Sequence, residues 1–323
     1  MERSGLAQQS AGQSRLANNV QRGVNGTDRY PSRNGQASAS SPRQVPVVYA
    51  SDRGKSPLGD ELTRQYEKDG FLVLEGVFSP EEVAAYSQEL QRLAANEDDT
   101  IKSLSIKEAG SGALRSVFGV HEVSRVFETL AGDKRLADIA QYLLADDVYI
   151  HQSRINYKPG FRGREFYWHS DFETWHVEDG MPDMRALSIS VSLTDNYQHN
   201  GSLMVIPGSH KRFVACEGET PESHYKSSLQ RQELGTPPDS VLQELVGENG
   251  VVTITGKPGS IVIFDCNLMH GSNGNITPYP RSNVFYVYNA LSNRPGAPYC
   301  GQQARPEHVC ARRVIRPIPS HVG

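Results

Sequence analysis

The chain has no long apolar run, no clustered cysteines and no excess of positive charge, and each absence closes off a class of function. No apolar stretch approaches the ~18 residues needed to cross a bilayer. No apolar core follows the charges at the N-terminus, so a secretory signal is not expected either. The 33 lysines and arginines are outnumbered by 37 acids, which leaves no basic stripe for a nucleic acid. The four cysteines (Cys216, Cys266, Cys300, Cys310) form no CxxC pair, as expected of reduced thiols in a cytoplasmic protein. Large apolar side chains are almost missing from residues 1–45, which are rich in Ser, Gln, Asn, Gly and Arg. Such a segment cannot bury enough surface to offset its ordering entropy, so a disordered leader is expected there. Folding is then expected to begin near Val47, with residues 46–323 forming a single domain.

What is present divides into a helical part and a strand-rich part. Residues 59–69 read as a helix ending at Gly70, followed by a short buried strand, Phe71-Leu-Val-Leu74. Ser79-Pro-Glu-Glu82 has capping-box spacing with proline at the first helical position, and Val83, Tyr86, Leu90 and Leu93 continue as an apolar stripe. Another helix opens at Asp133 and buries Leu136, Ile139, Ala140 and Leu143. From Val148 the period becomes alternating, and 148–158, 186–194, 202–206, 251–255, 260–266 and 282–290 read as strands. The pattern predicts an α+β fold, mainly β, with helices packed on an antiparallel sandwich or barrel.

The densest chemistry lies in Trp168-His-Ser-Asp-Phe-Glu-Thr-Trp175. On an extended segment His169 and Asp171 project to one side. They supply two ligands of a 2-His-1-carboxylate triad, which leaves three positions open on Fe(II). An HxD pair alone arises often by chance, so the third ligand decides. Among ten histidines His270 is the best candidate: it follows the strand Ser260–Cys266 and opens a Gly-Ser-Asn-Gly turn. His176, His199, His210 and His224 read as loop histidines bonded to backbone. Eleven residues beyond His270, Arg281 enters a strand with Asn283 and Phe285 on its face. A guanidinium fork suits the distal end of a dicarboxylate. HxD, a distant histidine and an arginine shortly after it form a much rarer combination than any one part.

Parity along 148–158 sets Gln152, Arg154, Asn156 and Lys158 on one face and His151, Ser153, Ile155 and Tyr157 on the other. A polar row of this kind fits a solvated face or the wall of a ligand cavity. In the second case Lys158 reaches an anionic cosubstrate, and Gln152 or Arg154 a small polar substrate. The strand 186–194 alternates Leu187, Ile189, Val191 and Leu193 with Ser188, Ser190, Ser192 and Thr194, and either set fits a site. Trp175, Phe264 and Phe285 by themselves read equally well as core.

With these residues in place the chain resembles the ectoine hydroxylases, within the wider phytanoyl-CoA dioxygenase-like group. The resemblance rests on Phe166–Ala186, Asn200–His210, Phe264–Thr277 and Arg281–Asn289, with Tyr30-Pro-Ser-Arg33 matching the family's usual beginning. It implies a double-stranded β-helix (cupin-type jelly roll) with flanking helices, assembled as a homodimer. It also implies hydroxylation of ectoine, a cyclic amino-acid osmolyte, to 5-hydroxyectoine with Fe(II), 2-oxoglutarate and O2, as part of compatible-solute biosynthesis under stress. By motif position His169, Asp171 and His270 would bind iron, and Lys158, Arg281 and Asn156 would hold 2-oxoglutarate. Gln152, Trp175, Ala186, Phe264 and Phe285 would form the substrate pocket, with Arg154, Thr174 and Ser188. Two rival readings remain at this point: a hydroxylase of another cyclic amino acid such as proline, and a non-catalytic cupin-like osmolyte binder.

Overall fold

The computed structural model describes residues 28–108 and 111–319. The N-terminal half is mixed. β1 (Ser40–Pro42), α1 (Gly59–Asp69), β2 (Phe71–Leu74), α2 (Pro80–Ala94) and α3 (Asp99–Leu104) come first. The strands β3 (Ser105–Lys107) and β4 (Leu114–Phe118) follow, then α4 (Val120–Val123), α5 (Arg125–Ala131) and α6 (Lys134–Leu144). The capping box expected before α2 forms: Ser79 accepts from the Glu82 amide, and the Glu82 side chain accepts from the Ser79 amide. The second half runs β5 (Val148–Lys158), β6 (Phe166–His169), α7 (Asp171–Asp179), β7 (Ala186–Ser192), β8 (Leu203–Val205) and β9 (Arg212–Val214). It ends with α8 (Tyr225–Ser228), α9 (Asp239–Asn249), β10 (Val252–Thr253), β11 (Ile261–Asp265), β12 (His270–Ser272) and β13 (Arg281–Ala290).

Among the described residues the strands form three sheets. The largest has the order β2-β11-β7-β13-β5-β4-β3, the second β10-β8-β12-β6, and β1 pairs with β9. Their pairing is antiparallel throughout, giving the α+β, mainly β jelly roll that the sequence implied. Register decides which residues share a face. Across the large sheet Ile155, Val284, Val191 and Ile261 line up, and beside them Tyr286, Ile189 and Ile263. This row packs under α1, α2, α5 and α6 in the main hydrophobic core, where each fully buried aliphatic side chain contributes about 1.5–3 kcal/mol. The alternate residues face the smaller sheet. Phe71, Val262, Phe264 and Phe285 meet Leu203 and Val205 there in a second apolar cluster.

Three expectations need correction. The leader does not extend to residue 45. Residues 1–27 lie outside the described residues, but from Asp28 the chain is packed: Tyr30 sits edge-on to Phe172 and Phe213, and β1 pairs with β9. Order there comes from ion pairs and hydrogen bonds, which a count of apolar residues does not register. The HxD segment is extended only as far as Ser170; Asp171 already opens a helix. His270 lies within a short strand rather than a turn. Among the described residues, no helix is long and apolar enough to cross a membrane.

Candidate metal centre and substrate cavity

His169 ends β6 and His270 begins β12, and these two residues are direct cross-strand partners. Antiparallel partners carry their side chains on one face, and the two imidazole centroids lie 4.3 Å apart. Ser170 then turns the chain: its hydroxyl caps α7 by accepting from the Glu173 amide and donates to Asn267 Oδ1 at 3.0 Å. Asp171, first residue of the helix, therefore comes back toward both histidines. Its oxygens lie 3.8 Å from His169 Nε2 and 3.9 Å from His270 Nε2, too long for hydrogen bonds.

Each imidazole is fixed from behind. His169 Nδ1 meets the Tyr167 carbonyl at 2.7 Å and His270 Nδ1 the Leu268 carbonyl at 2.9 Å. A carbonyl only accepts, so Nδ1 carries the proton and both Nε2 lone pairs are left for the centre. Burial and the neighbouring His270 lower the His169 pKa to about 4, which keeps the ring neutral. The Asp171 Oδ2 oxygen is buried without a hydrogen-bond partner. Two imidazoles offering Nε2 and a carboxylate, with ligand atoms all within 4.8 Å of one another, fit a divalent first-row metal such as Fe(II).

The centre opens on a cavity of about 850 Å³ including its mouth. Gln152, Arg154 and Asn156 from β5 line it with Arg281 and Phe285 from β13 and Phe264 from β11; Thr174 and Trp175 come from α7. The polar row of β5 therefore faces the cavity, and on β7 the serine set shares that side, with Ser188 and Ser190 opposite Val287 and Phe285. Gln152 is already engaged: Nε2 donates to the Val309 carbonyl at 2.7 Å, and Oε1 accepts from Arg154. The Arg281 side chain makes no hydrogen bond or ion pair with any described residue, its Nε is orphaned, and burial lowers its pKa to about 10. Asn283 Oδ1 and Ser188 Oγ are likewise unpartnered.

Lys158 pairs with Arg281 across β5 and β13 but reaches the cavity wall indirectly, donating to Ser272 Oγ and the Asn273 carbonyl at 2.8 and 2.5 Å. Burial, then Arg281 and Arg115, push its ammonium pKa well below the ordinary lysine value. Its stem runs between two glycines: a Cβ at Gly163 would lie 2.3 Å from Lys158 Cγ, and one at Gly201 2.4 Å from Cδ. Ala186 does not line the cavity. It packs behind Trp175 with Phe172, Met181 and Met184.

Several wall residues carry no signal in the sequence. Ser116 and Phe118 enter from β4, Phe166 from β6, and Leu229 and Gln232 from an irregular loop. Arg305 comes from the C-terminal segment; its Nε donates to Asp179 Oδ1 at 2.7 Å and its Nη2 to Oδ2, which leaves Nη1 for the cavity. Asp179 lies in a second group of ligand-type side chains with His151 and Cys310. There Arg305 already neutralises the carboxylate and Arg312 adjoins the thiol, so a cation is disfavoured. The group works as a clasp that seats Arg305.

Comparisons with known proteins agree with this geometry. The phytanoyl-CoA dioxygenase family model matches residues 66–283. The ectoine dioxygenase of Stutzerimonas stutzeri (strain A1501) is 52% identical over 291 residues, covering 90% of this chain and 96% of that protein. The crystal structure of EctD from S. alaskensis with bound Fe superposes with a TM-score of 0.80 at 47% identity, over 90% of this chain and 97% of that one. The same enzyme with 2-oxoglutarate and 5-hydroxyectoine gives 0.80 at 47% identity, over 91% and 96%. The chain belongs to the phytanoyl-CoA dioxygenase family and, within it, to the ectoine dioxygenases.

Proposed function

We propose that the protein hydroxylates ectoine to 5-hydroxyectoine, consuming 2-oxoglutarate and O2 and releasing succinate and CO2. The observation that carries this reading is the open His169–Asp171–His270 set sharing one cavity with Arg281, a buried guanidinium without a counter-ion. Fe(II) with 2-oxoglutarate supplies the activation of O2 for oxidation of a C–H bond; one oxygen atom goes to succinate and the other to product.

The residues around it hold, orient and exclude. His169 and His270 would hold the metal through Nε2, and Asp171 through its carboxylate. Arg281 and Lys158 would bind the distal carboxylate of 2-oxoglutarate, with Asn156 beside them. An anion there offsets the burial that now disfavours both cations. Ectoine is a small zwitterion with a delocalised amidinium. The faces of Trp175, Phe264 and Phe285 suit that cation. Arg154, Arg305 and the Thr174 hydroxyl suit its carboxylate. Gln152, held by Val309, fixes Arg154. Ala186 would act behind Trp175, and Ser188 at the floor of the site. We also propose a homodimer, checked by light scattering of the eluted protein.

The test is mass spectrometry of ectoine after incubation with the protein, Fe(II), 2-oxoglutarate and air, with proline in parallel. Ectoine should gain one oxygen atom, one succinate forming per product molecule. Oxygen transfer to proline with none to ectoine would refute the substrate assignment; succinate formation independent of either would refute the reaction.

A further inference from the structure

Arg33 is a buried charge that the catalytic reading leaves unused, and it lies in the segment whose composition predicted disorder. Its side chain is fully buried, as is that of Glu173. Nε and Nη2 donate to the Glu173 carboxylate at 2.9 and 2.6 Å, and Nη1 donates to Glu178 Oε1 at 2.6 Å. Nη2 also donates to Thr174 Oγ1 at 3.1 Å. One planar fork thus spans three residues of α7, the helix that opens with Asp171 and carries Thr174 and Trp175 into the cavity. Glu178 bonds His224 at 2.7 Å, just before α8, and the chain beyond it supplies Ser228, Leu229 and Gln232 to the cavity. The loop returns against the same guanidinium: a Cβ on Gly235 would lie 2.7 Å from Arg33 Nη2.

We propose that Arg33 is a positioning residue for the substrate, setting α7 and the 224–235 loop as opposed walls of one cavity. This rests on the reading of that cavity as the ectoine site. Arg33 does not line the cavity itself; it acts through Thr174 and through the Glu178–His224 contact. By donating to Thr174 Oγ1 it makes that hydroxyl an acceptor on the buried side, which frees the hydroxyl hydrogen for an acceptor in the cavity. A lysine keeps the charge but supplies a point instead of a fork, so it cannot serve Glu173, Glu178 and Thr174 in one plane. The cosubstrate cations Lys158 and Arg281 stand on β5 and β13, away from α7. Loss of the fork should therefore separate the two ligands.

The experiment compares wild type with Arg33→Lys, each iron-loaded, measuring KM for both ligands, kcat, and the ectoine Kd by calorimetry under nitrogen with 2-oxoglutarate present. The expected result is an ectoine KM and Kd raised about ten-fold, with the 2-oxoglutarate KM within about two-fold and kcat within about three-fold. An ectoine KM and Kd within about two-fold of wild type, or equal rises in both KM values, would overturn the proposal. If Arg33→Lys does not fold, Glu178→Ala replaces it, because it removes the oxygen that bonds both Arg33 and His224 and keeps the Glu173 contact; an unchanged ectoine KM there overturns the proposal as well. Wild type that leaves ectoine unmodified defeats the parent reading instead, so the two failures are distinct.

Discussion

The two faces of the large sheet are built from alternate residues of the same strands, yet they obey different rules. On the helix side Leu187, Ile189, Val191, Ile261, Ile263 and Val284 are buried apolar groups, and the polar atoms among them are paired. Tyr286 and Tyr288 donate to the carbonyls of Phe127 and Ala131 at 2.8 Å, closing off the last turns of α5. On the cavity side Ser188 Oγ, Arg281 Nε and Asn283 Oδ1 are buried and unpartnered, as is Asp171 Oδ2 above them. An orphaned buried polar group costs stability. Arg281 and Asp171 line the cavity itself, where an orphaned group marks a surface shaped for a ligand instead of for folding. One face holds the fold together; the other holds the chemistry.

Substitutions on the two faces should therefore fail in different ways. The largest effect is expected for Asp171→Ala: product formation should fall about a thousand-fold or more. Its melting temperature without metal should stay level or rise, because the buried Oδ2 has no hydrogen bond to lose. Ile189→Ala on the opposite face should cost about 2–5 kcal/mol in urea unfolding while the folded fraction keeps its activity. Arg281→Lys should raise the KM for 2-oxoglutarate about ten-fold or more with little change in stability, since one fork is replaced by a point charge. Ser188→Ala should shift stability by no more than about 0.5 kcal/mol. A catalytic loss in Ile189→Ala, or a folding loss in Asp171→Ala, would break the division.

Acid should act on the walls of the cavity through α7. Burial alone would raise the carboxyl pKa of Glu178 and Asp179. The bond from His224 with the charges of Arg305 and Arg33 outweighs it for the first, and Arg305 with His151 for the second. Both are brought to about 2, from 4.5 and 3.8 in the free chain. The folded pKa values are depressed, so the stability they contribute is present above the unfolded values and is lost as pH falls toward 2. Unfolding followed from pH 5 to pH 2 should show uptake of up to about two protons in that window. A flat stability profile there would contradict the buried network.

Much of the site was legible because strands reveal faces by parity. Gln152, Arg154, Asn156 and Lys158 share the cavity side with Arg281, Asn283 and Phe285, as alternation predicts. The bulge that shifts register between Val287 and Tyr288, and so turns Ile150 to the helix side, leaves no such trace. Nor does α7: it is buried almost all round, so no polar stripe announces a helix. Arg33 and Arg305 were hidden for a related reason. Their order comes from single buried carboxylates far away in the chain, Glu173, Glu178 and Asp179, and no periodicity encodes a long-range ion pair.

The most direct test is the position of iron. Crystals grown under nitrogen with Fe(II) and 2-oxoglutarate should give an anomalous peak bonded to His169 Nε2, His270 Nε2 and Asp171, with the cosubstrate's distal carboxylate on Arg281. A peak among His151, Asp179 and Cys310, or none near His169 in iron-loaded protein, would contradict the account.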